Sequence, residues 1–398
     1  MNPTRYESYS VDLNLGCQIK PIMNVVMTGN RNRRTNRRQF LKGKSALDAI
    51  EDIADGVSNE AESTASPPPT SATQSLETYL LNVSRNAMAC EFVVHLNAGQ
   101  HTGAVETAVA ALDLVEQLES QMTVYRDDSE ISRLNARAAN ESVIVEERLH
   151  RLFRRAKELY GATDGAFDIT AGPLSKTWGF YRRQGRIPEH QEIVTALNLV
   201  GSDKLDLSVN SAANAVRFDL PGMEINLGGI GKGYALDRAA QLLIQAGVED
   251  FVIHGGQSSV MARGSRQGSP ENAWHVNVRH PLRDEQLVAR FLMRNRALGT
   301  SGPARQSFYY RGRRYGHILD PRTGHPVDGV HSCSVVANDA ATADALSTAF
   351  FVLGVDEATK FCQQHSDVGA LFVCDGSKAG TVQLRRVNLT ETEAIIHA

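Results

Sequence analysis

The sequence is poor in cysteine, and the few cysteines that it has are scattered. Five occur in 398 residues, at Cys17, Cys90, Cys333, Cys362 and Cys374. An odd number at wide spacing argues against a disulfide framework and against a zinc ribbon, which needs closely spaced pairs. We therefore expect buried or incidental thiols.

Long apolar runs and a strong net charge are also lacking. No apolar run approaches the roughly 20 residues that a membrane-spanning helix requires, so we predict no transmembrane segment. A formal net charge of −3 argues against binding of a polyanion by the chain as a whole. A hydrophobic content of 42% is typical of a globular protein with a substantial core.

Residues 1–75 differ in composition from the rest of the chain. We expect a basic, then Ser/Pro/Glu-rich N-terminal segment that is flexible and disordered. Residues 35–42 resemble a twin-arginine export signal, but acidic residues between positions 48 and 55 interrupt the apolar stretch that such a signal needs. The compartment therefore stays open, with the cytoplasm slightly favoured over the periplasm. We predict no nucleic-acid partner, because the arginines lack interleaved aromatics and a recognised binding fold.

Residues 76–398 are predicted to form one folded domain of α+β class. Apolar spacing predicts helices at 104–122, 149–160, 236–247 and 340–353. Short β-rich runs predict strands at 92–96, 251–253, 274–278 and 369–374. The two kinds of element are mixed without regular βαβ alternation, which favours α+β over α/β.

A glycine-rich segment at residues 224–237 is predicted to form a short strand, a turn and a helix. Gly229 and Gly231 allow close backbone approach. The following helix begins with free N–H groups that favour anions, and Lys232 adds a positive charge. A phosphate or pyrophosphate is the simplest ligand. A tight strand-to-helix turn without a ligand explains the same residues equally well.

A histidine precedes a turn in the C-terminal third of the chain. The sequence from Asp320 to Gly324 has the Asp-Pro-x-x-Gly pattern of a turn, and His317 lies three residues before it. The turn alone does not require this histidine. Histidine is the side chain best suited to acid–base chemistry near neutral pH. A packed or surface histidine is the alternative interpretation.

The predicted helix at 340–353 carries Asp344 and Thr348, which share a face because they are four residues apart. Their neighbours are mostly apolar, so the pair is expected to be buried and to need a partner. A hard cation such as Mg²⁺ fits, because it prefers oxygen ligands and often bridges phosphates. A hydrogen bond from Asp344 to a nearby loop backbone is the alternative.

Together these segments resemble the ApbE family of FAD:protein FMN transferases. The resemblance covers roughly residues 78 to 385. The matching segments, in chain order, are Met88, 125–135, 164–168, 226–237, 254–256, 300–302, 317–324 and 343–348.

The resemblance implies a single ApbE-like catalytic domain of mixed, mainly antiparallel sheets with helices. It also implies an enzyme that uses Mg²⁺ and moves FMN from FAD to a threonine or serine hydroxyl of an acceptor protein, with release of AMP. His317 is then the group that takes the hydroxyl proton, and Asp344 acts beside it. The metal ligands implied are Asp344, Thr348 and the carbonyl oxygen of Gly229. The implied FAD contacts are Met88, Tyr125, Ala166, Phe167, Asp168, Asn226, Lys232 and Ile318.

The sequence departs from the family pattern near the expected flavin site. Asn226 and Gln257 replace aspartates that are usual in the family, and Ala304-Arg305 replaces its usual Tyr-Arg. These departures keep two alternatives open, an FAD pyrophosphatase that gives FMN and AMP, and a catalytically weak FAD-binding protein. The acceptor protein, the oligomeric state and the effect of Asn226 and Gln257 on activity are not determined by the sequence.

Overall fold

The computed structural model describes residues 11–12, 23–26, 79–209, 213–302, 307–378 and 380–397. The helices in these ranges are α1 (Ala104–Met122), α2 (Glu130–Arg137), α3 (Glu147–Ala162), α4 (Gly172–Thr177), α5 (His190–Leu197), α6 (Gly231–Gln245) and α7 (Ala340–Gln364). The first nine strands are β1 (Val11–Asp12), β2 (Met23–Val26), β3 (Leu80–Ala87), β4 (Cys90–Asn97), β5 (Val143–Ile144), β6 (Leu205–Asp206), β7 (Ala215–Phe218), β8 (Phe251–Gly255) and β9 (Ser259–Arg263). The others are β10 (Trp274–His280), β11 (Arg283–Met293), β12 (Arg296–Ser301), β13 (Ser307–Tyr310), β14 (Arg313–Gly316), β15 (Val330–Ala337), β16 (Gly369–Asp375), β17 (Val382–Val387) and β18 (Ala394–Ile396).

The sheets are mainly antiparallel. A nine-stranded sheet has the order β17-β16-β15-β12-β9-β8-β4-β3-β2, and a four-stranded sheet has the order β1-β10-β11-β18. Within both sheets, every pairing is antiparallel except that of β2 with β3. The predicted α+β class, with mixed and mainly antiparallel sheets, is therefore confirmed.

The large sheet is covered on both faces, as strand β8 shows. Phe251 and Ile253 are buried with helices α1, α6 and α7, whereas Val252 is buried with Trp274 and Phe291 of the four-stranded sheet. Side chains alternate between the two faces of a strand, so consecutive residues enter different cores. This explains why three consecutive residues, 251 to 253, are all apolar, and it yields a helix–sheet–sheet arrangement.

The chain separates into a unit of Met1–Val26 with Thr78–Ala398 and a unit of Met27–Glu77. The second unit lies outside the described residues, and so does the twin-arginine segment. Within residues 1–75 the structure describes only strands β1 and β2, which pair with β10 and β3 respectively. The flexible N-terminal segment and the domain boundary at residue 76 stay predictions. No helix in the described part of the chain is long and apolar enough to cross a membrane.

Two glycines bring helix α7 into backbone contact with its neighbours. A Cβ atom added to Gly233, in the first turn of α6, would lie 2.0 Å from the carbonyl oxygen of Ala340. A Cβ added to Gly299 of β12 would lie 2.4 Å from the carbonyl of Ala343. No real Cβ occupies such positions, so helix α7 could not approach α6 and β12 this closely with any other residue there.

We predict that Gly299→Ala destabilises the protein by about 1–3 kcal/mol, because the added methyl must displace helix α7. The matched control is Gly161→Ala in helix α3, where an added Cβ meets nothing within 4 Å. Alanine there is expected to be neutral or to stabilise by up to about 1 kcal/mol, because it favours the helix. Urea unfolding measures both changes, and equal effects of the two substitutions would contradict the close approach.

Candidate functional site

A cavity of about 360 Å³ lies where the glycine turn, helix α7, the end of β12 and residues 317–321 meet. The residues predicted from the sequence that line it are Tyr125, Ala166, Phe167, Asp168, Asn226, Gly229, Lys232, His317, Ile318, Asp344 and Thr348. Met88 is not among the lining residues. It lies in the tight turn between β3 and β4, with a φ of 50°, and its side chain packs against the main core. Its predicted contact with FAD stays a prediction.

Helices α6 and α7 each place a carboxylate on the N-terminus of the other. The Gly233 N–H in α6 donates to Oδ2 of Asp344 in α7, at 2.7 Å. In return, the N–H groups of Ala340 and Ala341 at the start of α7 donate to the carboxylate of Asp237 in α6, at 2.7 and 2.9 Å. Free N–H groups at a helix start carry partial positive charge, so both arrangements stabilise the pair. This reciprocal capping fixes Asp344 at the wall of the cavity.

The pKa of Asp237 is raised to about 7. Removal from water between the two helices is the main cause, and the like charge of Asp339 adds to it, while the two backbone N–H groups act in the opposite direction. The folded protein therefore holds a proton on Asp237 more tightly than the unfolded chain does. Through this group, stability falls as the pH rises from about 4 to about 7.

The variant Asp237→Asn should reveal this dependence, because an amide does not titrate. We expect the wild type to lose stability relative to the variant as the pH rises from about 4 to about 7, as measured by urea unfolding. The matched control is Asp219→Asn, which replaces an exposed carboxylate outside the helix pair. A wild type that gains stability relative to Asp237→Asn over this range would contradict the prediction.

Oxygen atoms converge around the end of the glycine turn. Thr348 Oγ1 lies 3.0 Å from Ser301 Oγ, which lies 2.9 Å from Ser347 Oγ. A Cβ added to Gly229 would lie 3.6 Å from Thr348 Oγ1, so the turn passes directly beside this hydroxyl. Lys232 Nζ is 3.8 Å from Asp344 Oδ2. One carboxylate, several hydroxyls and one ammonium group thus share one side of the cavity.

The helix start beyond the glycine turn does not present all its N–H groups to a ligand. Helix α6 begins at Gly231, five residues before the predicted start, so Lys232 and Gly233 lie in its first turn. The Gly233 N–H is taken by the protein's own Asp344, which also accepts a bond from Ser259 Oγ at 3.0 Å. The expected anion at this helix start is therefore, in part, a side chain of the protein.

The loop that carries Ala166 and Phe167 is held together by Asp168. Its Oδ1 accepts bonds from the N–H and the hydroxyl of Thr170 and from the hydroxyl of Ser202, at 2.6 to 2.8 Å. Burial raises the pKa of Asp168, although these bonds lower it. The carboxylate thus shapes the wall, and the ring of Phe167 lies directly against Gly229, 3.3 Å from where a Cβ of that residue would be.

His317 lines the same cavity and lies three residues before the start of the predicted Asp-Pro turn. The turn forms as expected, with the Gly324 N–H donating to the Asp320 carbonyl at 2.8 Å and with a φ of 75° at Gly324. Trp178 Nε1 donates to the Gly324 carbonyl at 2.8 Å. The His317 ring meets Phe180 edge-on, with 6.5 Å between ring centroids. The turn thus anchors the histidine-bearing segment against a packed aromatic cluster.

The ApbE family profile matches residues 88–372, which is more than half of the chain. The chain belongs to the ApbE family. It is 32% identical over 245 residues to the FAD:protein FMN transferase of Vibrio cholerae, covering 61% of this chain and 71% of that protein. It is 28% identical over 299 residues to the FAD:protein FMN transferase of Haemophilus influenzae, covering 73% and 85%. The crystal structure of the ApbE protein from Thermotoga maritima shares 30% identity and a TM-score of 0.69, covering 77% of this chain and 97% of that one. The predicted ApbE-family enzyme is confirmed.

Two departures from the usual ApbE pattern line the cavity. Asn226 Oδ1 accepts a bond from the Gly228 N–H at 2.9 Å, so the side chain shapes the glycine turn. An aspartate would accept the same bond and add a negative charge. Gln257 lies in the turn between β8 and β9 with a φ of 62° and also lines the cavity. Ala304-Arg305 lies outside the described residues.

Sequence reasoning missed the residues that hold the site from behind. Asn135 makes two bonds with the backbone of Ile225, at 2.8 and 2.9 Å, and so secures the segment before the glycine turn. Ser301 bonds both Ser347 and Thr348, and the Ser259 hydroxyl donates to Asp344. For the serines, the sequence signal is a hydroxyl inside an apolar segment. A buried polar group needs a partner, so such a hydroxyl indicates a hydrogen bond within the core.

Proposed function

We propose that this protein transfers FMN from FAD to a threonine or serine hydroxyl of an acceptor protein. The hydroxyl oxygen forms a bond to the FMN phosphorus, the pyrophosphate bond breaks, and AMP leaves with the bridging oxygen. One observation carries the proposal. Asp344, Thr348, Lys232 and the Gly229 turn converge beside His317 in a single cavity.

The donor set at this point fits Mg²⁺. Mg²⁺ prefers hard oxygen ligands, keeps several waters, and is often bound through one or two carboxylates together with substrate phosphates. Within the described ranges, no group of three or more His, Cys, Asp or Glu side chains could hold a metal ion. The cation would therefore depend on Asp344, Thr348, the Gly229 carbonyl and oxygens of the substrate. Bound there, it would neutralise charge on the pyrophosphate.

The chain's own residues would orient the substrate and move the proton. The capping bonds from Gly233 and Ser259 hold the Asp344 carboxylate in one orientation. The Lys232 ammonium lies where it can contact a phosphate oxygen. A ring nitrogen of His317 would accept the proton of the attacking hydroxyl. Holding both partners in place is the principal contribution that a protein makes to phosphoryl transfer.

The direct test mixes the protein with FAD, Mg²⁺ and an acceptor domain that carries a flavinylation threonine. We expect covalent flavin on the acceptor, and a loss of at least about 100-fold in rate for Asp344→Asn, because the cation loses its one carboxylate. In-gel flavin fluorescence and mass spectrometry measure the product. The matched control is Asp356→Asn, an exposed carboxylate on the same helix, which should transfer normally.

Two results would contradict transfer and favour the alternatives. Release of FMN and AMP at full rate without acceptor would identify an FAD pyrophosphatase, in which water replaces the hydroxyl. Tight retention of FAD without turnover at any Mg²⁺ concentration would identify an FAD-binding protein.

We predict that Asn226→Asp lowers the Kd for Mg²⁺ measured in the presence of FAD. The new carboxylate retains the bond to the Gly228 N–H, so the turn should keep its shape while the local negative charge increases. Isothermal titration measures the change. The control is Asn140→Asp on the surface after helix α2, which should leave the Kd unchanged. An unchanged Kd in Asn226→Asp would mean that this departure does not weaken the site.

A further inference from the structure

We propose that a cationic rim beside the cavity binds an acidic segment of the acceptor protein, next to the hydroxyl that is modified. The cationic rim consists of residues 180–186 and the hairpin β13–β14. The proposal rests on the proposed function, because the cavity must accept FAD for the rim to serve an acceptor. Beyond the proposed function, the inference specifies that the acceptor segment is acidic and that the cationic rim is the surface that binds it.

The rim carries more positive charge than its neighbours neutralise. Arg186 pairs with Glu192, and Arg313 pairs with Asp328. Arg182, Arg183 and Arg311 are exposed, and no ion pair joins them to any residue that the structure describes. Three exposed guanidinium groups without an ion pair on one rim favour an anionic partner, and guanidinium binds carboxylates in a two-point geometry.

The two parts of the rim form one packed surface. The Phe180 and Phe308 rings lie 5.7 Å apart, and Phe308 stacks on Tyr315 across the hairpin at 5.3 Å. A Cβ added to Gly185 would lie 2.3 Å from the Phe308 ring, so the loop rests directly on β13. Because aromatic packing holds the 180–186 loop and the hairpin together, the arginines extend from a rigid surface.

The rim adjoins the proposed reaction centre. Strand β14 ends at Gly316, and the next residue is His317, which lines the cavity. Phe180 also lines the cavity and contacts the His317 ring. A polypeptide lying on the rim would therefore bring its hydroxyl to the group proposed to take the proton.

The hairpin offers backbone and aromatic contacts as well as charge. Its sheet contains only β13 and β14 among the described residues, so each strand has one edge without a strand partner there. Tyr309 is 72% exposed and Tyr310 is 44% exposed. Extended peptides bind exposed strand edges through main-chain hydrogen bonds, and side chains add specificity. An extended acidic peptide therefore matches the rim better than a compact anion does.

The arginines are not part of the proposed dinucleotide site. Arg182, Arg183 and Arg311 are absent from the cavity lining, whereas Lys232 belongs to it. Neutralising the three arginines should therefore weaken acceptor binding and leave FAD binding intact.

The test compares the wild type with the triple variant Arg182→Gln/Arg183→Gln/Arg311→Gln. The probe is a fluorescein-labelled threonine peptide flanked by Asp and Glu, together with its counterpart in which Asn and Gln replace them. Fluorescence anisotropy without FAD measures the Kd. We expect the wild type to prefer the acidic peptide, with an affinity that falls as salt increases, and the triple variant to bind it about tenfold more weakly.

The matched control is Arg148→Gln/Arg154→Gln/Arg217→Gln, which removes the same charge from exposed arginines outside the rim and the cavity. It should bind the acidic peptide as the wild type does, and Arg182→Lys/Arg183→Lys/Arg311→Lys should bind it with an affinity between those of the wild type and the glutamine variant, because the charge is kept and the two-point geometry is lost. The single variant Arg311→Gln, at the tip of the hairpin, provides the same comparison with less disturbance of the fold.

Three results would overturn the inference. They are equal affinity for the acidic and neutral peptides, equal weakening in the rim variant and the control, and a parallel loss of FAD affinity in the rim variant. Failure of the proposed function has a different signature. The acidic peptide would bind selectively to the rim, yet no acceptor would receive covalent flavin.

Discussion

The reciprocal capping of helices α6 and α7 is the interaction on which the site depends. Asp344 accepts the Gly233 N–H of α6, and Asp237 accepts two N–H groups at the start of α7. Each helix thereby supplies carboxyl oxygens that accept hydrogen bonds from free N–H groups at the other's N-terminus. The exchange requires the helix starts to touch, which is possible because Gly233 has no Cβ. Gly299 permits the same approach from strand β12. Backbone contact on two sides leaves α7 little freedom, and the position of Asp344 follows from it.

This arrangement changes how the glycine turn is understood. A glycine turn before a helix is commonly an anion site made of backbone N–H groups. Here the Gly233 N–H at the helix start already donates to Asp344. Under the proposed function, the carboxylate bound there would hold a cation. Lys232 and that cation would then bind the phosphate together with the remaining backbone N–H groups. Asn226 belongs to the same structure, because its side chain closes the turn through Gly228.

The cavity and the rim suit two different kinds of ligand. The cavity wall combines Phe167, a glycine turn and a few polar groups, which suits a largely planar cofactor with a phosphate end. The rim combines arginines without ionic partners and exposed tyrosines on a strand edge, which suits a polypeptide. His317 lies between the two surfaces. Such a division allows the acceptor preference to vary through the rim while the groups around Asp344 stay the same.

The sequence by itself determined the fold class and the family, and it indicated the glycine turn, His317 and the Asp344/Thr348 pair, which all line one cavity. Local patterns carry that information, as helix α1 shows by having the predicted bounds Ala104–Met122. Only the tertiary structure decided which partners the key groups take. Helix α6 begins at Gly231 because its first turn packs on α7, a contact between residues that are about 110 positions apart. The hairpin β13–β14 and Asn135 likewise acquire their roles from distant segments. Hydrogen bonds and close packing act across space, and no local periodicity along the chain records them.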